Sequence, residues 1–177
     1  AGARARAWGS PGPRPGGRVP RPDLAAQGRE LRAVLRLIEE GRIAAAHDIS
    51  DGGLLRTLWE MLAGEDAVGP LGLEVDLDAA NALAAEPLAP HELLLSESPG
   101  FVLEVCAEKI GAVLDALHAV STPAVEIGRV TADPALRLRA GGRIWCDPDP
   151  AALHRAWSGK MRGITHSEAP SRAGEGA

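Results

Sequence analysis

Residues 44–55 read Ala-Ala-Ala-His-Asp-Ile-Ser-Asp-Gly-Gly-Leu-Leu. A short run of small apolar residues enters a turn carrying His47, Asp48, Ser50 and Asp51. Gly52 and Gly53 follow, and then a helix opens with Leu54, Leu55, Leu58 and Leu62 on one side. A strand, a polar glycine turn and a helix in that order place two carboxylates and a hydroxyl beside the outward-pointing amides of a helix start. Such amides and the helix dipole attract an anion, and glycines let it approach the backbone. Carboxylates nearby can hold the Mg²⁺ that accompanies a nucleotide phosphate. A plainer reading uses the same atoms: Ser50 or Asp51 caps the helix. Both readings stand together, because a cap and a phosphate site draw on the same N–H groups. No Gly-Lys-Ser/Thr follows, so this is not a P-loop, and it is not the dinucleotide fingerprint.

Outward from this stretch, residues 24–40 carry Leu24, Leu31, Val34, Leu35 and Ile38 at helical spacing, with Gly41 as the stop. Ile43–Ala46 reads as a short buried strand feeding the turn. Leu71–Leu77 alternates as a half-exposed strand, and Asp78 is expected to cap a helix to Ala85. Pro87 and Pro90 break the chain before Leu93-Leu94-Leu95. Phe101–Val105 reads as a strand and Ala107–Val120 as a helix with Ile110, Val113, Leu114 and Leu117 in one stripe. Val125–Val130 is a further strand. Leu136–Leu138 and Ile144–Cys146 flank Gly141-Gly142, a hairpin signal. Ala151–Trp157 closes as a short helix. The expected fold is α+β: a mixed, layered sheet covered by helices, with the Leu31-Val34-Leu35-Ile38 and Ile110-Val113-Leu114-Leu117 faces on one sheet.

The chain has 177 residues, enough for one domain with a real core. With no Tyr and a single Phe, and an apolar share that is almost all Ala, Leu and Val, a core of short aliphatics is expected. The formal charge of −5 makes the chain as a whole a poor nucleic-acid binder. Residues 1–22 depart from this, with five arginines and no acid among many Gly and Pro. They read as a disordered leader, residues 23–160 as the domain, and residues 161–177 as a flexible tail. No apolar run reaches membrane-spanning length. Cys106 and Cys146 lack metal spacing and read as reduced thiols of a cytoplasmic protein. Neither lies in a Gly-x-Cys-x-Gly elbow, so a glutaminase nucleophile is not expected. Glu97, in Ser-Glu-Ser-Pro-Gly, reads either as facing a ligand or as a solvated loop carboxylate. His91, His118, His154 and His166 are scattered and carry no assigned chemistry.

His47-Asp48-Ile49-Ser50-Asp51-Gly52-Gly53-Leu54 resembles the HD-x-S-(D/E)-GGL motif of the phosphoribosylformylglycinamidine synthases, in the aminoimidazole ribonucleotide synthetase superfamily. The likeness extends upstream to Pro22-Asp23-Leu24 and the helix Val34–Gly41. Downstream it takes in Leu94-Leu95-Ser96-Glu97-Ser98-Pro99-Gly100-Phe101-Val102-Leu103-Glu104-Val105, and then Ile127-Gly128-Arg129-Val130. The resemblance implies the carboxy-terminal domain of an ATP-dependent ligase that converts formylglycinamide ribonucleotide to its amidine with glutamine-derived ammonia. It implies ATP and Mg²⁺ as cofactors, Asp48 as a metal ligand, and Ser50, Gly52 and Gly53 facing the nucleotide. His47, Asp51 and Glu97 are possible ligand-facing residues, and no catalytic residue is assigned. The implied partners are an N-terminal synthetase domain and a glutaminase subunit or domain. Alternatives are the same domain from aminoimidazole ribonucleotide synthetase, selenophosphate synthetase or thiamine-monophosphate kinase, or a non-catalytic docking module. Of the family's two nucleotide sites, one catalytic and one largely structural, a lone domain does not say which it serves, though its final-domain position favours the structural one.

Overall fold

The structure, a computed structural model, describes residues 23–63 and 69–165. The expected leader therefore lies outside the described residues. The described part opens with α1, Leu24–Glu39, which starts where the Asp23 carboxylate accepts from the amides of Ala25 and Ala26. Then come β1, Ala45–Asp48; α2, Gly53–Leu62; β2, Gly72–Asp76; α3, Leu77–Asn81; α4, Pro90–Leu94; and β3, Phe101–Glu104. A 3₁₀ turn at Ala107–Lys109 leads into α5, Ile110–Ala119. The chain continues with β4, Gly128–Thr131; β5, Leu136–Ala140; β6, Arg143–Cys146; and α6, Pro150–Thr165.

The strands form two sheets where the sequence suggested one. A four-stranded mixed sheet has the order β4-β2-β5-β6, with β2 and β5 parallel and the other pairs antiparallel. A two-stranded antiparallel sheet joins β1 to β3, with Asp48 opposite Phe101. The hairpin between β5 and β6 turns at Gly141 and Gly142, with φ of 58° and 71°, a conformation glycine adopts without penalty.

Two cores result. The larger joins Leu54, Leu58 and Trp59 of α2 to Val75, Leu77, Leu94, Leu136 and Leu138. The alternation of β2 and β5 puts every second residue inward, so Leu136 is fully buried while Arg137 stays partly open. The smaller core is Leu37 of α1 against Val113 and Leu117 of α5. Between the two runs an apolar cleft of about 1290 Å³, walled by residues such as Leu58, Val75, Ile110 and Leu117.

Several expected details change. On α1 the buried residues are Val34 and Leu37, whereas Leu31, Leu35 and Ile38 are exposed. The helix packs chiefly on α5, with Leu103 of β3 reaching the core they share, and these neighbours cover only one side of its apolar arc. The first strand lies two residues later than expected, and Ala45 and Ala46 are exposed, not buried, because only β3 pairs with it. Asp76, not Asp78, caps α3; the Asp78 carboxylate instead accepts from the Gly141 amide. α3 stops at Asn81, whose side-chain amide bonds both the N–H and the C=O of Leu88 and so closes the loop. Leu93 and Leu94 fall in α4, a helix the proline pair concealed: Pro90 occupies its first turn and Glu92 accepts from the Ala89 amide. α6 runs past the expected domain end at residue 160 to Thr165, and residues 166–177 of the expected tail lie outside the described residues.

Candidate functional site

β1 ends at Asp48, and the turn of residues 49–52 carries the chain into α2. Two backbone bonds shape it. The Ile49 amide donates to Gly100 O at 2.8 Å, tying the turn to the start of β3, and the Gly53 amide donates to Ser50 O at 2.9 Å. Ile49 packs on the larger core, and Ser50 and Asp51 are exposed. Gly52 and Gly53 both have positive φ, 87° and 69°, so the reversal into α2 needs glycine at both places.

The two glycines differ in what lies beside them. A Cβ on Gly53 would stand 2.7 Å from Ser96 O and 2.8 Å from Leu94 O. Gly53 is buried, and its bare α-carbon makes room for the protein's own 94–96 backbone. A Cβ on Gly52 would meet only the flexible Arg56 side chain.

The plain capping reading of the turn is not what the fold uses. α2 has Gly52 at its cap and no side-chain cap bond from Ser50 or Asp51. Glu97 does that work from a distant loop: its Oε1 accepts from the Gly52 amide at 3.0 Å. A carboxylate at this end of a helix is favoured by the dipole. It also occupies the amide that a phosphate would seek. Ser96 and Ser98 share a hydroxyl hydrogen bond of 2.8 Å that braces the Glu97 loop.

Asp48 is the most open of the motif's polar residues held by the strand pair, with its side chain 64% exposed. Its backbone is firmly held. Asp48 O meets His47 Nδ1 at 2.7 Å and the Thr57 hydroxyl at 3.2 Å. His47 is half-buried, and its other nitrogen stands 3.3 Å from Glu60 Oε2. Both ring nitrogens thus face protein oxygens, which leaves no free ring nitrogen for a ligand. Thr57, Glu60 and their neighbour Trp157 were not singled out by the sequence. A signal for Thr57 existed: it is the one polar residue on the buried side of α2, between Leu54 and Leu58. Glu60 could be read only as an i,i+4 partner of Arg56.

Among the described residues, no three His, Cys, Asp or Glu side chains converge as a metal site. The donor set nonetheless suits a hard cation in part. Asp48 offers an exposed carboxylate with no Lys or Arg partner among the described residues, the kind of single ligand that Mg²⁺ takes alongside phosphate oxygens and water. The fit is that of one ligand in a shared site.

A family model described as "AIR synthase related protein, C-terminal domain" matches residues 3–141. The chain belongs to that family. The match begins inside residues 1–22, which the sequence reading set apart from the domain. Probable phosphoribosylformylglycinamidine synthase, chloroplastic/mitochondrial, of Arabidopsis thaliana is 34% identical over 124 residues, 70% of this chain and 8% of that protein. The phosphoribosylformylglycinamidine synthase subunit PurL of a Thermoanaerobacter is 31% identical over 147 residues, covering 82% of this chain and 18% of the relative. The major tegument protein of Epstein–Barr virus is 36% identical over 101 residues, 56% of this chain and 7% of that protein. Among solved structures, Thermotoga maritima PurL complexed with FGAR superposes with a TM-score of 0.63 at 26% identity, over 75% of this chain and 21% of that one. The same protein has been solved complexed with ATP. The chain thus spans less than a fifth of the length of these curated relatives. The α+β fold expected from the sequence agrees with this likeness.

Proposed function

We propose that this chain is the carboxy-terminal domain of an ATP-dependent phosphoribosylformylglycinamidine synthase of purine biosynthesis. The reaction joins formylglycinamide ribonucleotide and glutamine-derived ammonia at the expense of ATP. The observation that carries this reading is Asp48: an exposed carboxylate on a braced backbone, inside a motif matching that family, in a chain whose relatives bear that name. In this reading Asp48 contributes one ligand to the Mg²⁺ of a bound nucleotide. Mg²⁺ there would neutralise the charge of the nucleotide's phosphates. Ser50 and Asp51 form the exposed rim that faces the nucleotide, with Gly52 half-buried beside them. Glu97 holds the start of α2 in place, and Gly53 shapes the turn from inside. An N-terminal synthetase domain supplies the remaining metal and phosphate contacts, and a glutaminase subunit or domain supplies ammonia. Among the described residues no helix is long and apolar enough to cross a membrane, which is compatible with a cytoplasmic enzyme.

The test is turnover with ATP, formylglycinamide ribonucleotide and ammonium. The chain alone should give none, because one carboxylate cannot assemble the site. Adding the complementary synthetase domain should restore activity that Asp48→Asn abolishes. Robust turnover by the chain alone, or none after complementation, contradicts the proposal.

A second reading is a docking module without catalysis. The observation favouring it is the viral relative, named for the tegument rather than for a synthase. It predicts stable association with a partner domain and no turnover even when complemented.

A further inference from the structure

We infer that Glu60 is a positioning residue for Asp48, acting through His47. The inference rests on the reading of Asp48 as a nucleotide-site carboxylate and extends it to residues outside the motif.

Glu60 sits on α2, two turns beyond the motif, and its side chain is 20% exposed. Its carboxylate is engaged on several sides. Oε1 accepts from Arg56 Nε at 2.7 Å and from Trp157 Nε1 of α6 at 3.4 Å. Oε2 is left for His47 Nε2 at 3.3 Å. With three neighbours fixing it, the carboxylate has one orientation, and so does the imidazole against it. The opposite ring nitrogen then meets Asp48 O at 2.7 Å, where the Thr57 hydroxyl also arrives. A carbonyl oxygen only accepts, so Nδ1–H donates in this contact, and a ring that also donates Nε2–H to the Glu60 carboxylate is the imidazolium. The peptide that follows Asp48 is thereby pinned from two sides, which fixes the direction of its Cα–Cβ bond, and the same Nδ1 stands 3.6 Å from Asp48 Oδ1, so the ring faces the carboxylate as well. Carboxylates that orient an imidazole beside a metal site act in the same manner.

Two plainer roles fit less well. As a surface ion pair, Arg56–Glu60 is half-solvated at the arginine and contributes little; it also leaves Oε2 unexplained. As a core carboxylate Glu60 has no packing reason to face His47. The link from α6 through Trp157 shows what the final helix adds to the motif: it closes the far side of the Glu60 carboxylate.

The experiment uses the full chain and the variants Glu60→Ala, Glu60→Gln and Glu60→Asp. Side-chain NMR relaxation reports His47 ring motion, and the Asp48 carboxyl ¹³C shift reports its setting, both without nucleotide. Glu60→Ala should free the ring and move the Asp48 signal, whereas Glu60→Gln, which keeps an acceptor in place, should preserve both. Glu60→Asp keeps the charge but draws it back from His47, and should behave like Glu60→Ala even if that variant folds poorly. Mg-ADP affinity in the complemented protein should fall about tenfold in Glu60→Ala, the scale seen when outer partners of a metal site are removed. Unchanged ring motion and an unchanged Asp48 signal in both Glu60→Ala and Glu60→Asp overturn the inference, as does a Glu60→Gln indistinguishable from Glu60→Ala. If those signals move as expected but Asp48→Asn leaves Mg-ADP affinity intact, the positioning stands and the nucleotide reading of the site falls.

Discussion

The two cores of this molecule are built mainly from short aliphatics, with Trp59 added to the larger, yet one is closed and the other is open. Around β2, β5 and α2 a contiguous set of nine apolar residues is buried, and Leu136 has no exposed surface at all. Around α1, α5 and the β1–β3 pair, only Leu37, Val113 and Leu117 form a buried set, and Leu35 remains 48% exposed. The difference is one of neighbours, not composition. A four-stranded sheet with helices packed on it encloses its own side chains, whereas a two-stranded sheet and a helix pair cannot. The HDISDGG turn spans the boundary: β1 belongs to the open region and α2 to the closed one. The relatives that this chain matches are several times longer, and completion of the site by another domain is part of the proposed function.

The contrast can be broken most directly by truncating one leucine on each side. Leu136→Ala should cost about 3 kcal/mol, the range for a fully buried leucine that leaves a cavity. Leu35→Ala should cost below about 0.5 kcal/mol, as expected for a surface position. Urea unfolding of both variants checks this; equal losses would show that the open region is as tightly covered as the closed one. Next in size is Gly53→Ala at the boundary. The positive φ and the carbonyls of Ser96 and Leu94 leave a methyl no room, so a loss of about 2 kcal/mol is expected. Thermal unfolding reads it, and a neutral result would mean that the 94–96 segment moves aside freely. Ser50→Ala should change stability by only a few tenths of a kcal/mol, because its side chain makes no cap bond to α2. A loss near about 1 kcal/mol, the usual worth of a cap, would restore the capping reading.

The smallest effect comes from the cleft wall. Burial pushes the Glu30 carboxyl above its usual value of 4.5. A raised carboxyl holds its proton to higher pH folded than unfolded, so this group favours folding below its ordinary range. That contribution is lost as pH rises through the folded value. Glu30→Gln should therefore be nearly neutral at pH 4 and slightly stabilising at pH 7. A destabilised variant at pH 7 would show that the ionised carboxylate has a partner in the cleft.

Much of this architecture was legible beforehand because it is local. The periodicity of residues 24–40 marks α1, and Gly141-Gly142 marks the β5–β6 hairpin. What was not legible depends on contacts between distant segments. Which side of α1 is covered depends on α5, and the exposure of Ala45 and Ala46 depends on β1 having one partner strand. At the site, the Asp48 carboxylate and the glycine turn could be read from the motif. Glu97 at the Gly52 amide, Glu60 at His47 and Trp157 at Glu60 join residues 45, 13 and 97 positions apart. No local spacing encodes such pairs. The sequence did offer Ser50 and Asp51 as caps, a local solution that the fold replaced with a distant carboxylate.

The central claim is that Asp48 supplies one ligand to a Mg-nucleotide site shared with another domain. Calorimetric titration of Mg-ADP into the chain complemented with a synthetase domain tests it, comparing wild type with Asp48→Asn. Removing one charged contact from a shared site should weaken binding by about 1–3 kcal/mol with the unfolding midpoint nearly unchanged. Unaltered affinity in Asp48→Asn, with or without a loss of stability, would contradict the account and leave the motif a structural turn.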